Sequence, residues 1–121
     1  MPLPPDLERE RVRFQEKINS IDQEDDPLDV YCPYAEWLET NYQPQEANAS
    51  GLVDLLEQAT QQLGEDPATK DSFRCLKLWI MHARHAEVPT RVFNHMHTNK
   101  IGTKYALFYE EYAELLERTG Q

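Results

Sequence analysis

Glycine and basic charge are scarce in this sequence, and each shortage argues against a class of function. Four glycines among 121 residues leave little for the glycine-rich loop that cradles a phosphate. The 12 lysines and arginines are outnumbered by 22 aspartates and glutamates, so the formal net charge is −10. Because contacts from basic side chains to phosphates supply much of the affinity for nucleic acids, this charge disfavours a nucleic-acid partner. A protein partner of basic or mixed charge fits the composition better.

Sequence signatures of catalysis are also absent. The chain lacks the lysine, glutamate and aspartate motifs of a kinase, and no serine or cysteine nucleophile accompanies an obvious base. We therefore predict that this chain is not an enzyme and binds no cofactor.

Long hydrophobic runs are missing as well. No apolar stretch approaches the roughly 18–20 residues that span a bilayer, and the N-terminus has neither the basic nor the apolar segment of a secretory signal. The sequence predicts an intracellular protein with no membrane partner. In a reducing compartment, Cys32 and Cys75 are expected to be free thiols that pack as small apolar side chains.

Four histidines raise the question of a metal site. His82 and His85 are three residues apart and could share a helix face, whereas His95 and His97 are two apart and point in different directions. No Cys-x-x-Cys or His-Glu-x-x-His pattern accompanies them. We predict polar histidines on helix edges and no metal site, with a small metal-binding helical protein as the alternative.

Apolar residues recur at spacings of three and four, and no segment alternates convincingly with the period of two that is typical of strands. This pattern predicts an all-α protein of about six helices in one domain over 1–121. The helices are expected to form antiparallel pairs of the length found in tetratricopeptide-repeat (TPR) proteins, stacked as a short right-handed solenoid. The predicted order is a leading helix over 6–21, helix pairs over 27–63 and 71–98, and the start of an incomplete third unit over 103–118.

Capping residues and prolines set the predicted helix boundaries. Asp6, Asp26 and Asp71 are each predicted to cap the start of a helix, and Gly64 is predicted to end one. Pro33 is expected either to kink the second helix or to restart it, because proline removes a hydrogen bond and crowds the preceding turn.

The final helix is apolar over more than half of its circumference, so it is expected to need neighbours on more than one side. The sequence leaves open whether it ends a compact bundle or begins the next part of a longer stack. Large aromatic residues are expected to lie in the core rather than on a binding surface. They are Trp37, Phe73, Trp79, Phe93, Phe108 and Tyr109.

Five motif blocks, in order, resemble the N-terminal region of the Bub and Mad-three family of mitotic spindle-checkpoint proteins. The blocks occupy about residues 10–118, and no single motif would be as specific as their order. They leave the Bub kinase branch and the Mad-three branch both open. The matching residues are Asp26, Pro27, Leu28, Trp37 and Tyr42; Leu55 and Leu56; Leu76 and Trp79; Ile101 and Gly102; Ala106, Phe108 and Tyr109.

The resemblance implies a non-catalytic TPR-like docking module that acts in the nucleus and at kinetochores. Its implied partners are short amphipathic motifs of the kinetochore scaffold protein, with the anaphase-promoting-complex co-activator and other checkpoint proteins as further partners. Ile80 and Leu115 are the implied apolar contacts, and Arg84, Glu111 and Arg118 the implied flanking charges. The alternative is a generic helical-repeat scaffold or an obligate oligomer unrelated to the checkpoint.

Overall fold

The computed structural model describes residues 3–63 and 66–120, and every regular element within them is helical. The all-α prediction is confirmed, with six helices of ten or more residues and one of four. Gly64 lies outside the described residues. The helices are α1 (Pro5–Asn19), α2 (Leu28–Asn41), α3 (Leu52–Leu63), α4 (Pro67–Lys70), α5 (Phe73–Arg84), α6 (Pro89–Thr98) and α7 (Ala106–Arg118).

Helices α2 and α5 run parallel, with α3 packed against both. Near the start of both helices, Arg74 donates to Asp29 at 2.8 Å. Near their ends, His85 Nε2 lies 3.6 Å from Glu39 Oε2. The return helix α3 buries four of its leucines, Leu52, Leu55, Leu56 and Leu63. Tyr31, near the start of α2, donates to Gln62, near the end of α3, so α2 and α3 form the expected antiparallel pair.

Helix α7 continues the same alternation beside α5 and α6. The rings of Phe73 and Tyr105, at the starts of α5 and α7, have centroids 5.2 Å apart. Farther along both helices, Arg84 at the end of α5 donates to Glu111 in the middle of α7 at 2.6 Å. The order α5, α6, α7 is therefore up, down, up, as in stacked TPR-like helix pairs.

The leading helix α1 packs antiparallel on α2. Phe14 stacks on Tyr34 with ring centroids 4.9 Å apart, and Trp37 Nε1 donates to Glu10 at 2.7 Å. The predicted range 6–21 is slightly wrong, because α1 is followed by a 3-10 turn over Ile21–Gln23. Asp6 is also not the cap, since the helix begins at Pro5 and Asp6 lies in its first turn.

Side-chain caps confirm one predicted helix start and correct another. Asp26 accepts from the Leu28 amide at 3.0 Å, as expected at the start of α2. Asp71 is not the cap of α5, because the adjacent Ser72 accepts from the Cys75 amide at 3.3 Å. Asp71 instead ends the one-turn helix α4, which lies between the two predicted helix pairs.

Pro33 does not restart α2, which is helical without a break from Leu28 to Asn41. Pro33 is the sixth residue of the helix, and its nitrogen carries no hydrogen to donate. Only the carbonyl of Asp29, four residues earlier, therefore loses its hydrogen-bond donor. Tyr31 and Leu38, at 0% and 1% exposed, pack into the core on either side of it. The tertiary burial of this face offsets the local cost of the proline.

The aromatic residues divide between core and surface. Trp79, Phe93 and Phe108 are buried as predicted. The core prediction is wrong for Phe73, which is 45% exposed, and for Tyr109, which is 50% exposed. Phe73 is the first residue of α5, and Tyr109 lies on the face of α7 turned away from α5 and α6.

Helix α7 contacts two neighbours, α5 and α6, but within the described residues part of its apolar surface stays exposed. It buries Phe108 and Leu115 against its neighbours, while Tyr109 and Ala113 are exposed. The apolar pattern of α7 therefore predicted more burial by neighbouring helices than the structure shows.

Both cysteines are free thiols, as predicted, although Cys32 is only partly buried while Cys75 is fully buried. Burial raises the pKa of the Cys32 thiol from 9.0 to about 11. Because the folded-state pKa is the higher one, this thiol favours folding at neutral pH. That contribution is lost as the pH rises from about 9 to about 11.

We expect iodoacetamide to alkylate Cys32 at least about tenfold more slowly in the folded chain than in urea, at pH 8.5. The raised pKa lowers the thiolate fraction roughly 100-fold, and the greater intrinsic reactivity of a high-pKa thiolate recovers only part of this. Peptide mapping by mass spectrometry measures the rate at each cysteine. Equal rates in the folded and unfolded chains would contradict the burial of this thiol.

Candidate docking groove

A groove of about 210 Å³ lies where the C-terminal ends of α5 and α7 meet the start of α6. Its charged rim consists of Arg84, Glu111 and Arg118. Its apolar floor is formed by Ala83, Pro89, Phe93 and Leu115.

Local sequence signals account for the position of the floor. Pro89 is the first residue of α6, where its fixed φ suits a helix start and its missing amide hydrogen has no intrahelical partner to lose. One turn later, Phe93 stacks on Tyr112 with ring centroids 5.1 Å apart. This stacking aligns α6 with α7 and brings Leu115, one turn after Tyr112, to the groove.

An ion pair crosses the rim of the groove. Arg84 Nη2 donates to Glu111 Oε1 at 2.6 Å, and the Glu111 side chain is 17% exposed compared with 52% for Arg84. Arg118 is exposed and has no carboxylate within ion-pair distance among residues 3–63 and 66–120. The rim therefore offers one guanidinium already engaged and one available to an acidic ligand group.

The structure brings together four of the five residues named from the family resemblance. Arg84, Glu111, Leu115 and Arg118 all line the groove. Ile80 is 3% exposed and does not line it, so the structure gives this side chain a place in the core rather than on a contact surface. The apolar pattern of α5, which predicts a central helix, already pointed to that burial.

Sequence reasoning missed the contribution of α6. Pro89 and Phe93 line the groove, but their pattern signals only a helix start and a core residue. Nothing in the local sequence distinguishes a residue of the groove floor from any other core residue. Their role depends on the approach of α7.

A second groove, of about 260 Å³, meets the first at Arg84. It lies between the end of α2, the segment leading into α3, and the end of α5, and Leu38, Tyr42 and Leu52 contribute to its lining. His85 and Glu39 face each other on its edge at 3.6 Å. A peptide long enough to pass Arg84 would reach this second groove.

The described part of the chain contains no candidate metal site. No group of three or more histidine, cysteine, aspartate or glutamate side chains there is arranged to hold an ion. His82 is half-buried, and its burial lowers the pKa of the imidazole.

No helix of the described residues has both the length and the apolar character needed to span a membrane.

Comparison with known proteins decides the family. The sequence profile of the Mad3/BUB1 homology region 1 matches residues 9–121. The chain belongs to this family. The match covers nearly the whole chain and confirms the resemblance inferred from the five motif blocks.

The individual relatives that match this chain are named as spindle-checkpoint proteins. The mitotic spindle checkpoint component mad3 of Schizosaccharomyces pombe is 35% identical over 114 residues, covering 94% of this chain and 37% of the relative. The spindle assembly checkpoint kinase BUB1 of Saccharomyces cerevisiae is 28% identical over 119 residues, covering 92% of this chain and 12% of the relative. The chain therefore spans well under half the length of either protein. The homology region that it matches is a non-kinase N-terminal domain.

Two solved structures share the fold of this homology region. A chain in the crystal structure of a mitotic checkpoint complex matches with a TM-score of 0.80 and 35% identity, covering 94% of this chain and 53% of that one. The conserved N-terminal domain of BUB1 matches with a TM-score of 0.77 and 26% identity, covering 95% of this chain and 63% of that one. The fold is thus TPR-like, and a scaffold unrelated to the checkpoint family is no longer an alternative.

Proposed function

We propose that this chain is the non-catalytic docking domain of a spindle assembly checkpoint protein. It binds short amphipathic motifs of the kinetochore scaffold protein in the groove formed by α5, α6 and α7. The observation that carries the proposal is the convergence of Arg84, Glu111, Leu115 and Arg118 on that groove. The family resemblance implies these same four residues as partner contacts.

The size and lining of the groove suit one apolar anchor of a docked motif. A cavity of roughly 150 Å³ holds a benzene ring, so about 210 Å³ accommodates one aromatic or branched side chain. Phe93 and Leu115 are 4% and 6% exposed, so the floor is part of the packed core and is pre-formed. Laying an amphipathic helix in such a groove buries its apolar face without remodelling the receptor.

The rim residues orient the motif. Arg118 is free to pair with an acidic residue of the ligand, while Glu111 has a second carboxylate oxygen for a basic one. Because the exposed Arg84 already pairs with Glu111, the partly buried carboxylate of Glu111 has a counter-charge before a ligand binds. A motif of mixed charge therefore fits the rim, in agreement with the overall charge of −10.

The names of the relatives support a wider role in the checkpoint. One similar chain is part of a mitotic checkpoint complex, and other relatives are named as checkpoint components or kinases. On this basis the parent protein acts in the nucleus and at kinetochores. It supports inhibition of the anaphase-promoting complex through the co-activator and other checkpoint proteins.

We expect Arg118→Glu to weaken binding of a kinetochore-scaffold motif at least about tenfold, because it places a second acidic group beside Glu111 on the rim. Fluorescence anisotropy with labelled peptides that tile the scaffold protein measures the affinity. Arg13→Glu, the same charge reversal on the exposed face of α1, is the matched control and leaves the affinity unchanged.

Two outcomes would contradict the docking proposal. Failure of every scaffold peptide to bind at high micromolar concentration would remove the partner, and equal effects of Arg118→Glu and Arg13→Glu would remove the groove. Leu115→Ala tests the floor independently and weakens binding if the anchor sits there. Ile80→Glu is unsuitable for this purpose, since a charge at a 3% exposed position disrupts the fold itself.

A further inference from the structure

We propose a second binding surface at the end of α5 and α7 opposite the docking groove, which takes a short acidic peptide segment carrying an aromatic residue. We call it the lysine–aromatic corner, and it consists of Lys70, Phe73, Lys100, Lys104 and Tyr105. Phe73 and Arg84 are the first and last residues of α5, so the corner lies roughly 16 Å along that helix from the groove.

Three contacts hold the corner together across distant parts of the sequence. The Gly102 amide donates to the carbonyl of Lys70 at 2.9 Å. Lys104 Nζ donates to the Asp71 carboxylate at 2.8 Å, and the Tyr105 hydroxyl donates to the Asp71 carbonyl at 2.6 Å. The end of α4 and the turn between α6 and α7 therefore form one rigid surface.

Aromatic side chains are concentrated at this end of the molecule. Among the phenylalanines, tyrosines and tryptophans of the described residues, only Phe73 and Tyr109 are exposed, at 45% and 50%. The Phe73 ring meets Tyr105 edge to face at 5.2 Å, and the Tyr109 hydroxyl donates to the Thr103 carbonyl next to Lys104. The exposed ring of Phe73 thus presents a face on which an apolar or aromatic side chain of a ligand can pack.

Three lysines lie at the same place. The corner holds three of the five lysines of a chain whose net charge is −10. Lys104 is paired with Asp71, but no ion pair engages Lys70 or Lys100 within residues 3–63 and 66–120. The corner therefore complements a negative ligand, in contrast to the acidic surface around it.

The backbone conformation of Lys100 independently marks the corner as unusual. Its φ is +57°, and no other non-glycine residue in the described ranges has a positive φ. It closes α6 at the position usually occupied by glycine, and the following amide of Ile101 donates back to Met96 at 2.8 Å. A lysine here costs conformational energy that glycine would avoid, and such strain concentrates at functional positions.

A short peptide fits better than a nucleic acid. A long polyanion experiences the net charge of −10 beyond the corner, whereas a short acidic segment interacts mainly with charges within about 8 Å at physiological salt. The three lysines, one at the end of α4 and two in the α6–α7 turn, also form no stripe along which a phosphate backbone could run.

The test is an NMR titration of the whole chain with a short peptide of glutamates around one phenylalanine. We expect chemical-shift changes at the amides of 70–73 and 100–105, with an affinity at least about tenfold higher than for the glutamine counterpart of the peptide. Absence of these shifts up to millimolar peptide, or equal affinity for both peptides, would overturn the proposal. Tighter binding of an oligothymidine at the same amides would also overturn it.

Lys100→Gly separates binding from folding. It relieves the positive-φ strain, so the thermal midpoint stays the same or rises, while affinity for the acidic peptide falls about fivefold or more. Arg91→Gln, which removes the same charge near the opposite end of α6, leaves the affinity unchanged. An unchanged affinity in Lys100→Gly would overturn the proposal, whatever scaffold peptides do at the distant groove.

Discussion

Phe108→Ala is expected to lower the free energy of unfolding by about 3–5 kcal/mol, which is the usual loss for a fully buried phenylalanine. Phe108 is 0% exposed and joins α7 to α6. Its ring centroid lies 5.8 Å from Phe93, 5.9 Å from Tyr112 and 6.3 Å from His97. Leu115 is the only other buried residue of α7, so removal of the Phe108 ring takes away one of the two buried anchors of this helix.

Urea denaturation followed by circular dichroism measures the loss. The loss is a large fraction of the roughly 5–15 kcal/mol that stabilises a typical domain, so a partly unfolded population without urea is an acceptable result. Tyr109→Ala is the matched control on the neighbouring residue, which is 50% exposed, and should cost about 1 kcal/mol or less. Similar losses in both variants would show that α7 is not anchored through Phe108.

Gly102→Ala is the second large effect, with an expected loss of about 2–4 kcal/mol. A Cβ at this position would lie 2.5 Å from Leu76 Cδ1 and 3.0 Å from Leu76 Cβ, and Leu76 is 0% exposed, so it has nowhere to move. Overpacking of a core costs about 1–3 kcal/mol. The left-handed backbone, with φ of +70°, adds about 1 kcal/mol for a residue with a side chain.

Gly51→Ala isolates the backbone part of this effect. Gly51 has φ of +91°, but a Cβ there would meet no atom within 4 Å. It should therefore lose only the conformational part, about 1 kcal/mol. The difference between the two glycine variants measures the close approach of the α6–α7 turn to α5. Equal midpoints in urea would mean that Leu76 is not in the way.

Helix positions and family membership could be predicted from the sequence because both are recorded locally. Spacings of three and four indicate the apolar faces of the helices. The leucines of α3 are buried, as are Phe93 and Met96 of α6. The Asp26 cap was also visible, since its hydrogen bond reaches only two residues along the chain. The five ordered motif blocks likewise needed no tertiary information, and the family match over residues 9–121 agrees with them.

Capping choices and surface exposure could not be predicted in the same way. Asp71 and Ser72 are both good caps, and Asp71 is instead held by Lys104, 33 residues away. Phe73 and Tyr109 are as apolar as the buried aromatic residues, but no helix of the described chain covers them. Their exposure depends on which neighbours arrive, and the pattern of a single helix contains no record of that.

The candidate groove shows the same division. The sequence by itself determined an all-helical chain of the Mad3/BUB1 family, because periodicity and motifs act over one or two helical turns. Through the family resemblance it also named all three residues of the rim. Only the tertiary structure decided that Arg84 pairs with Glu111 over a floor containing Phe93, and that Ile80 lies in the core. The physical reason is that a groove is the space left between packed helices, and that space is set by contacts between residues far apart in the chain.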